Sequence, residues 1–496
     1  MPFFGSLAGF SVRVVSGPPV VGPLSNTGSN DAFVVKYDAG GTPLWARRLG
    51  GTSSDVAYSV TRDSSGNVIV VGTYQSSLNI YAANGSTVSF SLTNSGGQDA
   101  FVVKYDSSGT PLWVRRMGGT GFDQARSVIV DSSGNVIVTG YYASNPLNIY
   151  AANGTTVLLT LPNSGSNDSF VVKYDSSGTP LWVRRIGGAG SDTAFSVSTD
   201  SSENIVVAGQ YASNPLSIFA ADGNSVFAFS NPGTNNAFVV KYDPSGTPLW
   251  ARKIGGYNGS DGCNSVTTDS SGNVIVTGNY TSIPLSIFAA NGATESFSLT
   301  NSGSNDAFIV KYDSSGTPLW VRRLGGTSSD IGNSVMTDST GNIIVTGNYA
   351  SSPVNIFATN GSTVSFTLSN SAGFDAFIVK YNSGGTPLWA RKIGGYNGND
   401  RANSVSVDSS GNIVVAGQYS SNPSDIYAAD GTTVSFTLAN SGGEDVFVVK
   451  YDSSGTPLWA RRVGGTLTDV ATSVNVDSSG NIVVAGYYIS TSLSFN

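Results

Sequence analysis

An all-β fold built from seven repeated antiparallel sheets is predicted by three observations. The stretch "DAFVVKYDSSGTPLW" (99–113) recurs in near copy from Asp31, Asp168, Asn236, Asp306, Asp375 and Asp445. The seven tryptophans are Trp45, Trp113, Trp182, Trp250, Trp320, Trp389 and Trp459. All sit in "TPLW", at spacings of 68, 69, 68, 70, 69 and 70 residues. Apolar residues make up 39% of the chain. Val, Ile, Phe and Tyr lead that set, and these favour strands. A fixed period of this size means one supersecondary unit stacked repeatedly.

Each period carries four strand signals. "SVTRD" (59–63) is short and holds small residues, as an innermost strand would. "NVIVVGTY" (67–74) is a near-continuous apolar run, expected where both faces are buried. "DAFVVKYD" (31–38) is apolar on both faces. "TPLWARRLGG" (42–51) opens with proline and carries two basic residues. Proline cannot donate to a ladder and charge discourages edge pairing, so this segment reads as the outer edge. The turns "DSSGN" (63–67) and "DSSGTP" (106–111) place glycine where a tight hairpin needs a left-handed residue. Four antiparallel strands, small inside and guarded outside, describe a propeller blade. Each period also holds an extra hairpin, such as "LNIYAANGSTVSFSL" (78–92), expected on one face of the disc.

Counting sets the expected number of blades. The inner-strand "SV" occurs at Ser59, Ser127, Ser196, Ser265, Ser334, Ser404 and Ser473. The chain opens with the two outer strands and closes with the two inner ones, so one blade is assembled from both ends. The expected divisions are 52–118, 119–187, 188–255, 256–325, 326–394, 395–464, and 465–496 with 19–51. One hairpin is also split. "SLSFN" (492–496) supplies its first strand and "PVVGPL" (19–24) its second. Residues 1–18 are left as an apolar arm suited to self-association.

"SVSTDSSENIVVAGQY" (196–211) together with "FVVKYDSSGTPLWVRRIGG" (170–188) resembles the bacterial β-propeller repeats abbreviated SBBP. It is more distantly similar to NHL-type propeller repeats. The resemblance spans nearly the whole chain and implies a seven-bladed propeller of four-stranded antiparallel blades. It also implies company among surface and secreted proteins. The extra hairpin departs from the ordinary repeat.

Composition narrows the function. There are no histidines, which removes the commonest general base and metal ligand. Cys263 is the only cysteine, so no intrachain disulfide forms; it replaces Ala or Gly of other repeats and reads as a small buried residue. A net charge of −7 disfavours a nucleic-acid partner. No apolar run approaches a membrane span. The first residues lack a basic n-region, so no signal peptide is assigned.

Charged residues number 57, and 47 of them fall at positions shared by the repeats. Such charges read as architecture, with turn aspartates binding backbone N–H groups and Lys and Arg remaining solvated at strand edges. One repeated acid has a second reading. Asp55, Asp123, Asp192, Asp261, Asp330, Asp400 and Asp469 precede the inner strands and are placed in a ring around the channel mouth. Oxygen-only ligation there suits Ca²⁺; a hydrogen-bonded brace between blades is the structural alternative. The hairpin aromatics Tyr81, Tyr150, Phe219, Phe288, Phe357 and Tyr427 are contact candidates, with intramolecular packing as the other role. The "NGS" or "NGT" at Asn84, Asn153 and Asn360 is a glycosylation sequon that turn chemistry also explains.

No catalytic residue and no required cofactor are expected, because no repeat carries a lone acid–base pair or a phosphate loop. The expected function is a non-enzymatic binding or adhesion module that presents uncharged Ser/Thr/Asn-rich hairpins to a glycan or protein. The alternative is a structural component of an extracellular layer, filament or virion. Either places the protein outside the cell or on a cell or virion surface.

Overall fold

The computed structural model describes residues 21–82, 84–231, 233–290 and 292–495, so the arm 1–18 lies outside the described residues. The described chain is all-β. Asp55–Arg62, Val68–Tyr74, Asp99–Tyr105 and Pro111–Gly118 pair in that order as one antiparallel sheet. The arrangement recurs along the sequence. The second and third strands are wholly buried, as their two-sided apolar pattern requires.

Three details differ from the sequence reading. The sheet does not stop at four strands. Leu147–Tyr150 and Val157–Leu161 join the preceding sheet as its fifth and sixth strands, with Asn148 opposite Gly118 and Ile149 opposite Met117. Only the proline end of the "TPLW" strand is therefore an edge. Leu147 and Ile149 need cover on one face, and the neighbouring strand end supplies it.

The inner strand also begins four residues early, at Asp55 rather than Ser59. A β-bulge at Tyr58, between the Ala57 and Ser59 registers, breaks the period-two pattern that would have revealed it.

The repeated Lys and Arg are not solvated. Arg47 and Lys36 are each only 7% exposed. Arg47 Nε donates to Gly109 O at 2.7 Å and its Nη2 to Ser108 O at 3.1 Å, while the guanidinium lies over the Trp45 ring. Trp45 Nε1 and Lys36 Nζ both donate to Ser107 O at 3.1 Å. One repeat thus grips the turn of the next. The carbonyls of that turn point outward, and a buried cation that satisfies several of them loses little by leaving water.

The two ends of the chain meet. Asp31–Tyr37 pairs with Ile482–Tyr488, from Asp31 opposite Tyr488 to Tyr37 opposite Ile482. Ser492–Phe495 pairs with Val463 and Gly464 on one side and with Leu24–Ser25 on the other. A series of hydrogen bonds links the inner strands. Val128 N donates to Ser59 Oγ, Val197 to Ser127, Val266 to Ser196, and Val335 to Ser265. Val405 donates to Ser334 and Val474 to Ser404; Val60 donates to Ser473, which returns the series to its start.

Deleting residues 1–50 removes Asp31–Tyr37, which pairs along one edge of Ile482–Tyr488, and Pro43–Gly50, which lies beyond it. Thermal unfolding of the truncated chain is expected to lose its cooperative transition. A circular permutant starting at Thr52, with Asn496 joined to Met1, keeps every pairing and is expected to melt within a few degrees of the parent. Calorimetry of the two proteins checks both outcomes.

Candidate site at the channel mouth

The bulge that hid the start of the inner strand recurs at Arg126, Phe195, Asn264, Asn333, Asn403 and Thr472. The residues on both sides of it barely change from repeat to repeat, but the bulged residue does: Tyr, Arg, Phe, Asn, Asn, Asn, Thr. A bulge leaves one residue out of the ladder and re-aims its side chain. Here several of those side chains converge. Tyr58, Arg126, Phe195, Asn403 and Thr472 line a single cavity of about 340 Å³ with Arg401, Gln418, Val470 and Tyr487.

Two sides of this mouth behave differently. On one side the bulged side chain braces the next inner strand: Asn264 Nδ2 donates to Gly332 O at 3.0 Å, Asn333 to Ala402 O at 3.1 Å and Asn403 to Ala471 O at 2.8 Å. Thr472 Oγ1 does the same to Ala57 O at 2.7 Å. On the other side Tyr58, Arg126 and Phe195 point inward without such a bond. The Arg126 guanidinium sits 4.2 Å from the Tyr58 ring and 5.5 Å from that of Tyr141. Arg401 lies 5.4 Å from the Phe374 ring. The Nε atoms of both arginines are shielded from solvent and have no acceptor among the described residues. Leaving such a donor unsatisfied costs about 1–3 kcal/mol. Burial pushes the Tyr58 hydroxyl up from its usual range, with the Arg126 charge opposing the shift.

The sequence reading missed this site because it weighed residues repeated sevenfold. The signal was in the sequence. Only Arg13, Arg62, Arg126 and Arg401 fall outside the shared basic positions, and two of them meet here.

The ring aspartates are placed elsewhere. All seven are fully buried and line no open mouth. Asp123 Oδ2 accepts from Gly119 N at 3.0 Å and from Ser144 Oγ at 2.5 Å. Ser213, Ser282, Ser351, Ser421 and Ser490 hold Asp192, Asp261, Asp330, Asp400 and Asp469 in the same way. Asp55 accepts from Gly51 N at 2.7 Å. The brace runs within a repeat and not between repeats. Asp123 stands opposite Tyr142, two residues before Ser144, so its carboxylate folds back onto its own loop. No group of three or more His, Cys, Asp or Glu gathers among the described residues.

The hairpin aromatics each carry a cation on one face. Arg48 covers Tyr81 at 4.3 Å, Arg116 covers Tyr150 at 4.2 Å and Arg185 covers Phe219 at 3.9 Å. Lys253, Arg323 and Lys392 stand over Phe288, Phe357 and Tyr427. Most of these cations also pair with a buried aspartate, as Arg116 does with Asp99 at 3.1 Å. Asn84 and Asn153 brace their own hairpin tips through Thr87 and Thr156. Cys263 is fully buried.

Buried carboxylates make stability depend on pH. Burial pushes Asp55 up to about 8, against the N–H bond from Gly51, and pushes Asp99 up to about 7 and Asp400 to about 6. A carboxyl raised on folding stabilises fully below its unfolded value of 3.8, and that contribution is lost as pH climbs through the raised values. The turn aspartates run the other way. Burial opposes the charge of Asp63, but hydrogen bonds from Lys104 and Asn67 outweigh it and hold the carboxyl below the usual range. That contribution is lost as pH falls. The melting temperature is therefore expected to peak at about pH 4–5 and to fall towards pH 8. A melting profile across pH 3–9 checks this; a peak above neutrality contradicts it.

A model of the β-propeller repeat called SBBP matches residues 319–348. An uncharacterised WD repeat-containing protein of Acanthamoeba polyphaga mimivirus is 30% identical over 512 residues, covering 91% of this chain and 36% of that protein. The regulatory protein FlaEY of Caulobacter vibrioides is 25% identical over 443 residues, covering 86% of this chain and 41% of its own length. The chain thus spans about two-fifths or less of these relatives. The WD40 β-propeller domain of Doa1 is 12% identical with a TM-score of 0.27, covering 73% of this chain and 92% of that one. A protein of unknown function from Bacteroides caccae is 11% identical with a TM-score of 0.25, covering 66% and 93%. The repeated antiparallel sheets, in which four strands of one repeat are joined by the hairpin of the next, together with the SBBP match and the mimivirus relative, support a β-propeller repeat protein.

Proposed function

We propose that the protein is a non-enzymatic binding scaffold for a protein partner, built as a seven-bladed propeller closed by strands from both ends. The observation that carries this reading is the break in symmetry at the bulge. A near-identical framework varies at the bulged residues, and Tyr58, Arg126 and Phe195 do not make the brace to the next strand that Asn264, Asn333, Asn403 and Thr472 make. The returning series of Val-to-Ser bonds supports closure at seven. The hairpins add area for contact, since Val88, Val157, Val226, Val364 and Val434 are all more than two-fifths exposed. The WD-repeat relative favours interaction over catalysis. A structural part of a virion or extracellular layer is the second reading, favoured by the viral source of that relative.

The test compares the full chain with a variant carrying Tyr58→Ala and Phe195→Ala on peptide and glycan arrays. Peptide signals that the variant loses, at a melting temperature within a few degrees of the parent, are the expected result. Array signals unchanged in the variant, or confined to glycans, contradict the proposal.

A further inference from the structure

We infer that the channel mouth binds a carboxylate of an acidic peptide segment, held between Arg126 and Arg401; this rests on reading the mouth as the scaffold's binding surface. The mouth's amides are already engaged. Asn403 Nδ2 is bonded to Ala471 O and to Gln418 Oε1 at 2.7 Å, and Gln418 Nε2 donates to Glu444 Oε2 at 3.2 Å. The Tyr58 and Tyr141 faces are taken by Arg126. A neutral sugar would find few free amides beside the Phe195 and Tyr487 rings.

What remains is charge. Among the described residues neither Arg126 nor Arg401 has an ion pair or a hydrogen bond, and both line the same cavity. Arg62 behaves otherwise: it donates to Asn475 at 2.9 Å and pairs with Asp477 at 3.5 Å. Glu444, the nearby carboxylate, is engaged by Gln418 and forms no ion pair with Arg401. Rings stacked on a guanidinium cover its flat faces and leave its in-plane N–H fork available. That fork matches the two oxygens of a carboxylate.

The segment is assigned to a protein because of the mouth's position. The inner strands begin here, with Asp55 opposite Tyr74, four residues before the hairpin strand Leu78–Tyr81. The hairpins thus lie on the mouth's face of the disc, outward of the inner strands, where an extended segment with its acidic side chain in the mouth can reach them. The net charge of −7 works against indiscriminate polyanion binding, so capture of an acid here requires a local site.

Fluorescence anisotropy with fluorescein-labelled octaglutamate on the full chain tests the inference, with polygalacturonate and tripolyphosphate as competitors. Saturable binding is expected, weakened about tenfold or more by Arg401→Gln and by Arg126→Gln and unchanged by Arg62→Gln. Arg401 packs against a single ring, so its variant carries the test even if Arg126→Gln fails to fold. Absence of saturable binding, equal weakening by Arg62→Gln, or tighter binding of polygalacturonate or tripolyphosphate overturns it. If octaglutamate fails while array binding remains sensitive to Tyr58 and Phe195, the carboxylate assignment falls and the scaffold reading stands.

Discussion

A guanidinium stacked on its own tryptophan, reaching across to the backbone carbonyls of the next repeat's turn, is the contact on which this structure depends. It recurs from Arg47 to Arg461. The last copy ties the two ends of the chain together, since Arg461 Nε donates to Gly41 O and Trp459 Nε1 to Ala39 O. The clamp explains why "DSSGTPLW" is repeated so closely. Gly109 has φ +82, as has Gly178, and Gly41 has +81; a Cβ at Gly109 would lie 2.8 Å from the Trp45 ring. The turn must be left-handed, and it must also be bare where the neighbour's tryptophan and arginine close on it. Turn, tryptophan and arginine are thus one requirement written in two adjacent repeats. A hydrogen bond from a charged donor contributes about 1.5–3 kcal/mol, and each clamp has several.

The clamp leaves the inner end of each sheet free to vary. Near the axis, neighbouring repeats are held by backbone N–H groups donating to the "SV" serines, which need only serine beside the bulge. The bulged residue itself takes no part in that bond. It can brace the next strand, as Asn264 does, or project into the channel, as Arg126 does. The same division separates the two classes of cation. Framework cations are spent on carbonyls, buried aspartates and rings, whereas Arg126 and Arg401 keep their N–H groups unspent at one opening.

Much of this was legible in the sequence. Strand identity followed from patterning: "VIVVG" is apolar on both faces and lies between two strands. The shared sheet and the split hairpin followed from which strands stand at each end of the chain. The destination of the hairpins did not. Leu78 and Ile80 announce an apolar face but not whose edge will cover it. Burial of the charges was hidden for a similar reason. Lys36 and Arg47 look like edge guards until the next repeat's carbonyls are seen against them. The seven aspartates drew attention by repetition, which marks framework. The binding candidates are marked by its failure, and the bulge that aims Tyr58, Arg126 and Phe195 also disguised the strand on which they sit.

On the proposed function, framework and site are separable: repetition carries stability, and the residues that vary at and beside the bulge are left free for recognition. The most direct measurement is the unfolding midpoint of a chain with Tyr58→Asn, Arg126→Asn and Phe195→Asn, compared with a chain carrying Gly109→Ala. The first places at three bulges the residue type with which Asn264, Asn333 and Asn403 already brace the next strand. Its midpoint is expected at or above the parent's in one cooperative transition, while Gly109→Ala lowers it through strain of about 1–3 kcal/mol and a displaced clamp. A midpoint that falls for the asparagine chain as far as for Gly109→Ala would contradict the account, because the bulged residues would then be holding the fold together.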